Sequence, residues 1–304
     1  MFSAFDANRI FFLPTFAAHF FNFKQMKIVH SIAELQKEIV AFRNDKKNIG
    51  FVPTMGALHA GHCSLVKQCV AENDVCVVSV FVNPTQFNNA DDLLKYPRTL
   101  ERDAQLLEEN GCQLIFSPEP HEIYSEKELN QTFEFDFGGL DAVMEGKFRP
   151  GHFNGVVQIV SKLFDLVQPN KAYFGEKDFQ QLAIIRRMVK IMNYPIEIIG
   201  CPIVREKSGL ALSSRNERLS TTEKEIATNI ARTLFESRQL KASQSVLQVK
   251  NWVIEQINRV EKLHVEYYEI VDADTLQETE KWANAVGCIT VFCGEVRLID
   301  NIKY

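Results

Sequence analysis

The run VCVVSVFVNP, residues 75–84, narrows what this chain can fold into more than any other stretch. A strand that is apolar at successive positions is buried on both faces, as in a parallel sheet covered by helices. Asn83-Pro84 then ends it. The flanking segments repeat the same alternation. MKIV reads as a short strand, followed by a Ser31 cap and a helix with apolar residues at 32, 35, 39 and 42, close to a 3.6-residue period. NIGFVP leads through a glycine-bearing turn into a second helix, and a helix over about 98–110 passes through Gly111 into CQLIFSP. A further helix, the strand AYFG, another helix and IEIIGCPIV complete the series. This order predicts an α/β fold, a doubly wound, Rossmann-like parallel sheet with helices on both faces. Ligands in such sheets sit at the carboxyl ends of the strands, which directs attention to the segments after FVP, VFVNP and AYFGEKD.

Beyond residue 203 the texture changes. REKSGLALSSRNERLS is polar and loop-like; helices follow to about residue 260, then HVEYYEIVDADTL and CITVFCGEVRLID read as strands. The expected organisation is a Rossmann-like domain over 26–203 and a smaller α+β domain over 204–304. Residues 1–25 are phenylalanine-rich but broken by Asp6, Arg9, Pro14 and His19. They match neither a membrane span nor a secretory signal, so they read as a leader, with the folded chain expected to begin at Met26.

A formal charge of -5 argues against a nucleic-acid binder, so any anion site is local. The seven cysteines are odd in number and form no C-x-x-C pair, which fits reduced thiols in a cytoplasmic protein. Cys63, Cys69 and Cys76 lie in apolar surroundings and read as small hydrophobes.

The sharpest local chemistry lies in PTMGALHAGH, residues 53–62, between a strand and a helix. His59 and His62 share one face of a first helical turn, and Gly61 permits close approach of another group. A helix start also favours phosphate. Two imidazoles there suit stabilisation of phosphate charge; the alternatives are two capping histidines or half of a metal site. Downstream, Ser213, Ser214 and Arg215 offer hydroxyls and a guanidinium fork for a triphosphate, although Ser-Ser-Arg-Asn is also ordinary loop chemistry.

The H-x-G-H and Ser-Ser-Arg pair resembles the nucleotidyltransferase superfamily. The ordered strings FVPTMGALHAGH, VSVFVNPTQF, YPRT, RPGHFNGV, FGEKDFQQL and GLALSSRN bring the likeness closer, and the chain resembles the pantothenate synthetase (pantoate–β-alanine ligase) family from about Met26 onward. Leu212 departs from a frequent methionine.

The resemblance implies an ATP-dependent ligase that adenylates pantoate and passes the acyl group to β-alanine, releasing AMP and pyrophosphate. It implies catalytic roles for His59, His62 and Lys177. The ATP site would add Met55, Gly56, Gly175, Asp178, Ser213, Ser214 and Arg215. Pantoate would meet Gln86, Gln181, Asn83 and Phe87, with Tyr96 and Arg149 near the entrance. Asp103 would contact Mg2+. A cytoplasmic homodimer with no membrane or nucleic-acid partner completes these expectations. The rivals are a nucleotidyltransferase making a dinucleotide or CDP-alcohol, and a catalytically idle nucleotide-binding module. The glutamines of NPTQF and KDFQQ argue against the first, and the presence of Lys177 with both histidines against the second.

Overall fold

A computed structural model describes residues 26–88, 90–131 and 133–304. The reading of residues 1–25 as a leader lies outside these.

The first part of the chain runs β1 (Lys27–Val29), α1 (Ile32–Asn44), β2 (Ile49–Thr54), α2 (Ala60–Glu72) and β3 (Val75–Val80). It continues through α3 (Ala90–Lys95), α4 (Leu100–Glu109), β4 (Leu114–Phe116) and three short helices, α5 (Pro120–Ile123), α6 (Glu126–Leu129) and α7 (Met144–Phe148). Then come α8 (His152–Val167), β5 (Lys171–Gly175), α9 (Phe179–Ile191) and β6 (Glu197–Cys201). Ser31 caps α1 as read from the sequence: its hydroxyl accepts from the Glu34 N–H, and the Glu34 carboxylate accepts from the Ser31 N–H.

β1 to β6 form one parallel sheet in the order β1-β4-β3-β2-β5-β6. Every residue of β3 is buried, which explains its unbroken apolar run. Buried residues of α1, α8 and α9 cover one face of the sheet, and those of α2 and α4 the other. From β2 the chain winds outward through β3 to β4, then returns to the opposite side of β2 for β5. The winding direction reverses there, and the carboxyl ends of β2, β3 and β5 frame a crevice.

The remainder comprises α10 (Thr221–Leu240), α11 (Val246–Asn258) and the antiparallel strands β7 (Leu263–Asp272), β8 (Ala285–Cys293) and β9 (Val296–Lys303). CITVFCGEVRLID is therefore two strands joined at Gly294-Glu295, where Gly294 takes a φ of 56°. Helices α10 and α11 pack on one face of this sheet. On the other, Tyr267, Val271, Val286 and Cys288 join the core of the parallel sheet. All seven cysteines are free; Cys63 is half-buried and the others are buried. Among the described residues, no helix is long and apolar enough to cross a membrane.

Candidate active site

His59 is the N-cap of α2 and His62 is its third residue. Each uses Nδ1 as an acceptor: that of His59 takes the Gly61 N–H at 3.1 Å, and that of His62 takes the His59 N–H at 3.3 Å. The rings lie 4.1 Å apart between centroids, with their planes tilted by 37°. The capping reading and the phosphate reading are thus compatible. A ring whose Nδ1 accepts carries its proton on Nε2, so both imidazoles are neutral donors aimed away from the backbone. Burial, followed by the Lys177 ammonium, lowers His59 to about 4; burial, then His59 and Lys177, lowers His62 to about 3. Gly61 serves a closer purpose than expected. A Cβ there would lie 2.8 Å from His59 Cε1, so the missing side chain admits the ring of its own neighbour.

Upstream of this cap the chain makes a left-handed turn at Gly56 (φ 79°) and Ala57 (φ 51°). Asp103, on α4 and fully buried, holds the turn: Oδ2 accepts from the Ala57 N–H at 3.0 Å and Oδ1 from the Leu58 N–H at 2.8 Å. Thr99 Oγ1 donates to Oδ2 as well. This carboxylate is committed to backbone donors, so the donor set does not fit a protein-held magnesium at Asp103. Among the described residues, no group of three or more His, Cys, Asp or Glu side chains is placed to hold a metal.

Gln86 ends a short 3-10 turn, Pro84–Gln86, after β3. Asn83, almost fully buried, donates to Gln86 Oε1 and to the Gly155 carbonyl of α8, both at 3.0 Å. Gln86 Nε2 lies 2.9 Å from Met55 Sδ. The turn sits so tightly on α8 that a Cβ at Gly155 would be 2.4 Å from the Thr85 carbonyl oxygen. Asn83 is therefore more than a strand terminator.

Two adjoining cavities result. The inner one, partly open, is lined by Met55, His62, Asn83, Gln86, Tyr96 and Gln181, among others. The outer one lies between the two sheets and includes Arg149, Lys177, Ser213 and Arg215. Asp178 and Gln181 line both. Phe87 lines neither; its ring packs edge-on against Tyr96 at 5.7 Å. Gly175 closes β5 immediately before the loop that carries Lys177. Strand β9 fixes that loop, because Asn301 Nδ2 donates to the carbonyls of Glu176 and Lys177. Ser213 caps its own turn through the Arg215 N–H, and Ser214 hydrogen-bonds the Tyr96 side chain. Leu212 Cβ lies 3.8 Å from the position a Gly61 Cβ would take, so the serine loop abuts the histidine turn.

Sequence reasoning missed Ser79. Its fully buried Oγ has no hydrogen-bond partner among the described residues, and it lines the inner cavity. The signal was present, since Ser79 is the one hydroxyl in VCVVSVFV. Glu145 and His152, both on the outer cavity, were also missed.

A paired-imidazole helix start beside a lysine loop at a parallel-sheet switch point places the chain in the Rossmann-like α/β class, with a crevice chemically suited to phosphate. Comparison with known proteins makes the assignment specific. The family model described as pantoate-beta-alanine ligase matches residues 27–303. A pantothenate synthetase of Bacteroides thetaiotaomicron is 61% identical over 282 residues, covering 92% of this chain and 99% of that protein. The crystal structure of pantothenate synthetase from Thermus thermophilus superposes with a TM-score of 0.85 at 43% identity, covering 91% of this chain and 99% of the other. A pantoate-beta-alanine ligase from Francisella tularensis, complexed with β,γ-ATP and β-alanine, matches with a TM-score of 0.75 at 37% identity, covering 91% and 97%. The chain belongs to the pantoate-beta-alanine ligase family. It is a ligase that forms the amide bond between pantoate and β-alanine at the expense of ATP.

Proposed function

We propose that the inner cavity takes pantoate and that ATP lies along the histidine turn, with its triphosphate toward the serine loop. The pantoate carboxylate attacks the α-phosphorus and pyrophosphate leaves; the β-alanine amine then attacks the acyl carbon and AMP leaves. The observation that carries this reading is the shared wall: Asp178 and Gln181 border both cavities, so an acid in one meets a nucleotide reaching in from the other.

In this reading the Nε2–H groups of His59 and His62 donate to the phosphates as charge builds on them, without gaining or losing a proton. Lys177 follows that charge on its flexible stem. Met55 and Gly56 form the adjoining wall. Gly175 leaves room at the strand end, and Asp178 receives the ribose hydroxyls. Ser213, Ser214 and Arg215 close over the triphosphate. Gln86 and Gln181 hydrogen-bond the hydroxyls and carboxylate of pantoate, and Asn83 holds Gln86. Phe87 contributes through Tyr96, against which it packs. Arg149 flanks the approach to the outer cavity. Magnesium enters on the ATP phosphates rather than through Asp103. Residues 26–203 and 204–304 act as a body and a lid, in a cytoplasmic homodimer.

The test is AMP formation from ATP with pantoate and β-alanine, omitting each in turn. AMP release should require both; release independent of both would remove the assignment.

A further inference from the structure

A continuous polar chain runs from the antiparallel sheet to the Gln86 turn. It starts at Arg297 on β9, whose guanidinium grips Glu145 of α7 with two hydrogen bonds, Nη1 to Oε2 at 2.8 Å and Nη2 to Oε1 at 2.6 Å. Tyr267 on β7 and Thr290 on β8 donate to the same carboxylate at 2.9 and 3.1 Å. Glu145 thus collects one donor group from each strand of that sheet. Its Oε2 lies 3.5 Å from Arg149 Nη1, which in turn donates to His152 Nε2 at 3.2 Å. His152, buried at the start of α8, spends its Nδ1–H on the Gln86 carbonyl at 2.8 Å.

The tautomer of His152 follows from these partners. A carbonyl oxygen only accepts and a guanidinium only donates, so the ring is neutral, with its proton on Nδ1 and its lone pair toward Arg149. This is the reverse of His59 and His62. Burial, then the Arg149 charge, lowers His152 to about 4, in keeping with a ring that stays neutral. Glu145 remains ionised: burial pushes it up, but the Arg297 hydrogen bonds and charge, followed by Arg149, bring it to about 2. Each link has one donor direction: Arg297 and Arg149 both point their donors at Glu145, and from Arg149 the donors run through His152 to the Gln86 carbonyl.

We propose that Glu145, Arg149 and His152 are positioning residues, a relay through which docking of the antiparallel sheet onto α7 holds Gln86 in its pantoate-binding position. This rests on the reading of Gln86 as a pantoate contact. The relay transmits register rather than protons. With Glu145 neutralised, Arg149 is released from its anchor and ceases to press on His152, and the Gln86 turn loses its orientation. The same sheet also fixes the Lys177 loop through Asn301, so one docking event sets both the acid-binding and the phosphate-binding elements.

The experiment is a double-mutant cycle read in steady-state kinetics, with KM for pantoate, ATP and β-alanine measured separately. Gln86→Ala alone should raise the pantoate KM; no change there would sink the Gln86 reading itself. Glu145→Gln should raise the pantoate KM by about tenfold, with a smaller effect on the ATP KM, and should add little further on the Gln86→Ala background. If Glu145→Gln multiplies all three KM values alike, or acts equally on both backgrounds, its role is general stability and the relay is overturned. Removing one partner of a buried ion pair risks misfolding, so His152→Asn provides a second route. Asparagine keeps a donor for the Gln86 carbonyl but, being shorter, places no acceptor at the Nε2 position that Arg149 meets. A selective rise in pantoate KM supports the relay; unchanged kinetics in this variant, if folded, refutes it.

Discussion

The His59 backbone N–H donates to His62 Nδ1 at 3.3 Å, while the His59 ring accepts from Gly61, so the two residues close a capping box made of imidazoles. In the proposed reading the cap and the phosphate site are one object, and a substitution can separate them. His59→Asn supplies a good N-cap acceptor but no Nε2–H. The variant should melt within a few degrees of the parent and lose adenylation by on the order of 10²-fold. Pyrophosphate release with pantoate as sole acceptor, measured beside thermal melting, checks this. Near-parental turnover would leave His59 with a capping role alone.

The neutral histidines also predict how stability depends on pH. For His59, His62 and His152 the folded values lie below the ordinary 6.5, so the unfolded chain takes up protons first as the solution is acidified. Their contribution is complete above about pH 6.5 and is lost progressively as the pH falls toward about 4 for His59 and His152 and about 3 for His62. For His152, only 7% exposed, the loss approaches ~1.4 kcal/mol for each pH unit in that window. Denaturant midpoints from about pH 7.5 down to 5 should fall, and His152→Asn should flatten the slope by close to one proton. Equal slopes would mean that His152 titrates normally in the folded state.

Gly155 supports from behind the turn that carries Gln86, the proposed pantoate contact. Its Cβ position falls 2.4 Å from the Thr85 carbonyl oxygen and 2.6 Å from Gln86 Cα, both backbone atoms that cannot swing aside. Gly155→Ala should therefore displace the Gln86 turn, with a stability cost of about 1–3 kcal/mol. The kinetic mark is a pantoate KM raised by about tenfold or more, since a misplacement of this size is costly to a bound geometry. The ATP KM should change less, because the atoms a Gly155 Cβ would strike belong to the Gln86 turn. Parallel rises in both would place the damage in the sheet as a whole.

Much of this was legible in the sequence. VCVVSVFV announced a strand buried on both faces, and the strand-helix alternation gave the parallel sheet with its ligand crevice. The histidine turn, the lysine loop and the paired glutamines come from the ends of strands that the sheet brings together, so their proximity follows from topology. What stayed hidden depends on contacts between distant segments. Glu145 sits in a MEGKF stretch with no motif of its own, and its partners lie more than a hundred residues away on three strands. The neighbours of Gly61 and Asp103 in the fold, the His59 ring and the Ala57 and Leu58 N–H groups, were hidden for the same reason. Composition shows that a glycine leaves space, but only the fold shows which group fills it.

Asp103 gives the sharpest division between a brace and a metal ligand. Both of its oxygens accept backbone N–H groups from Ala57 and Leu58, next to two residues with positive φ. A non-glycine residue in that region costs free energy, and the carboxylate offsets the cost by satisfying donors the turn would otherwise leave unpaired. Asp103→Asn replaces one acceptor by an NH2 that faces an N–H, so one buried donor loses its partner. The expected destabilisation is about 1–3 kcal/mol, with a higher ATP KM because Met55, Gly56 and the His59 cap follow from this turn. The magnesium concentration giving half-maximal rate should stay within about twofold of the parent when free ATP is held constant, since in the proposed reading the ion travels with the phosphates. A shift of tenfold or more in that concentration, in a variant that melts like the parent, would restore Asp103 as a metal ligand and require the turn to open during turnover.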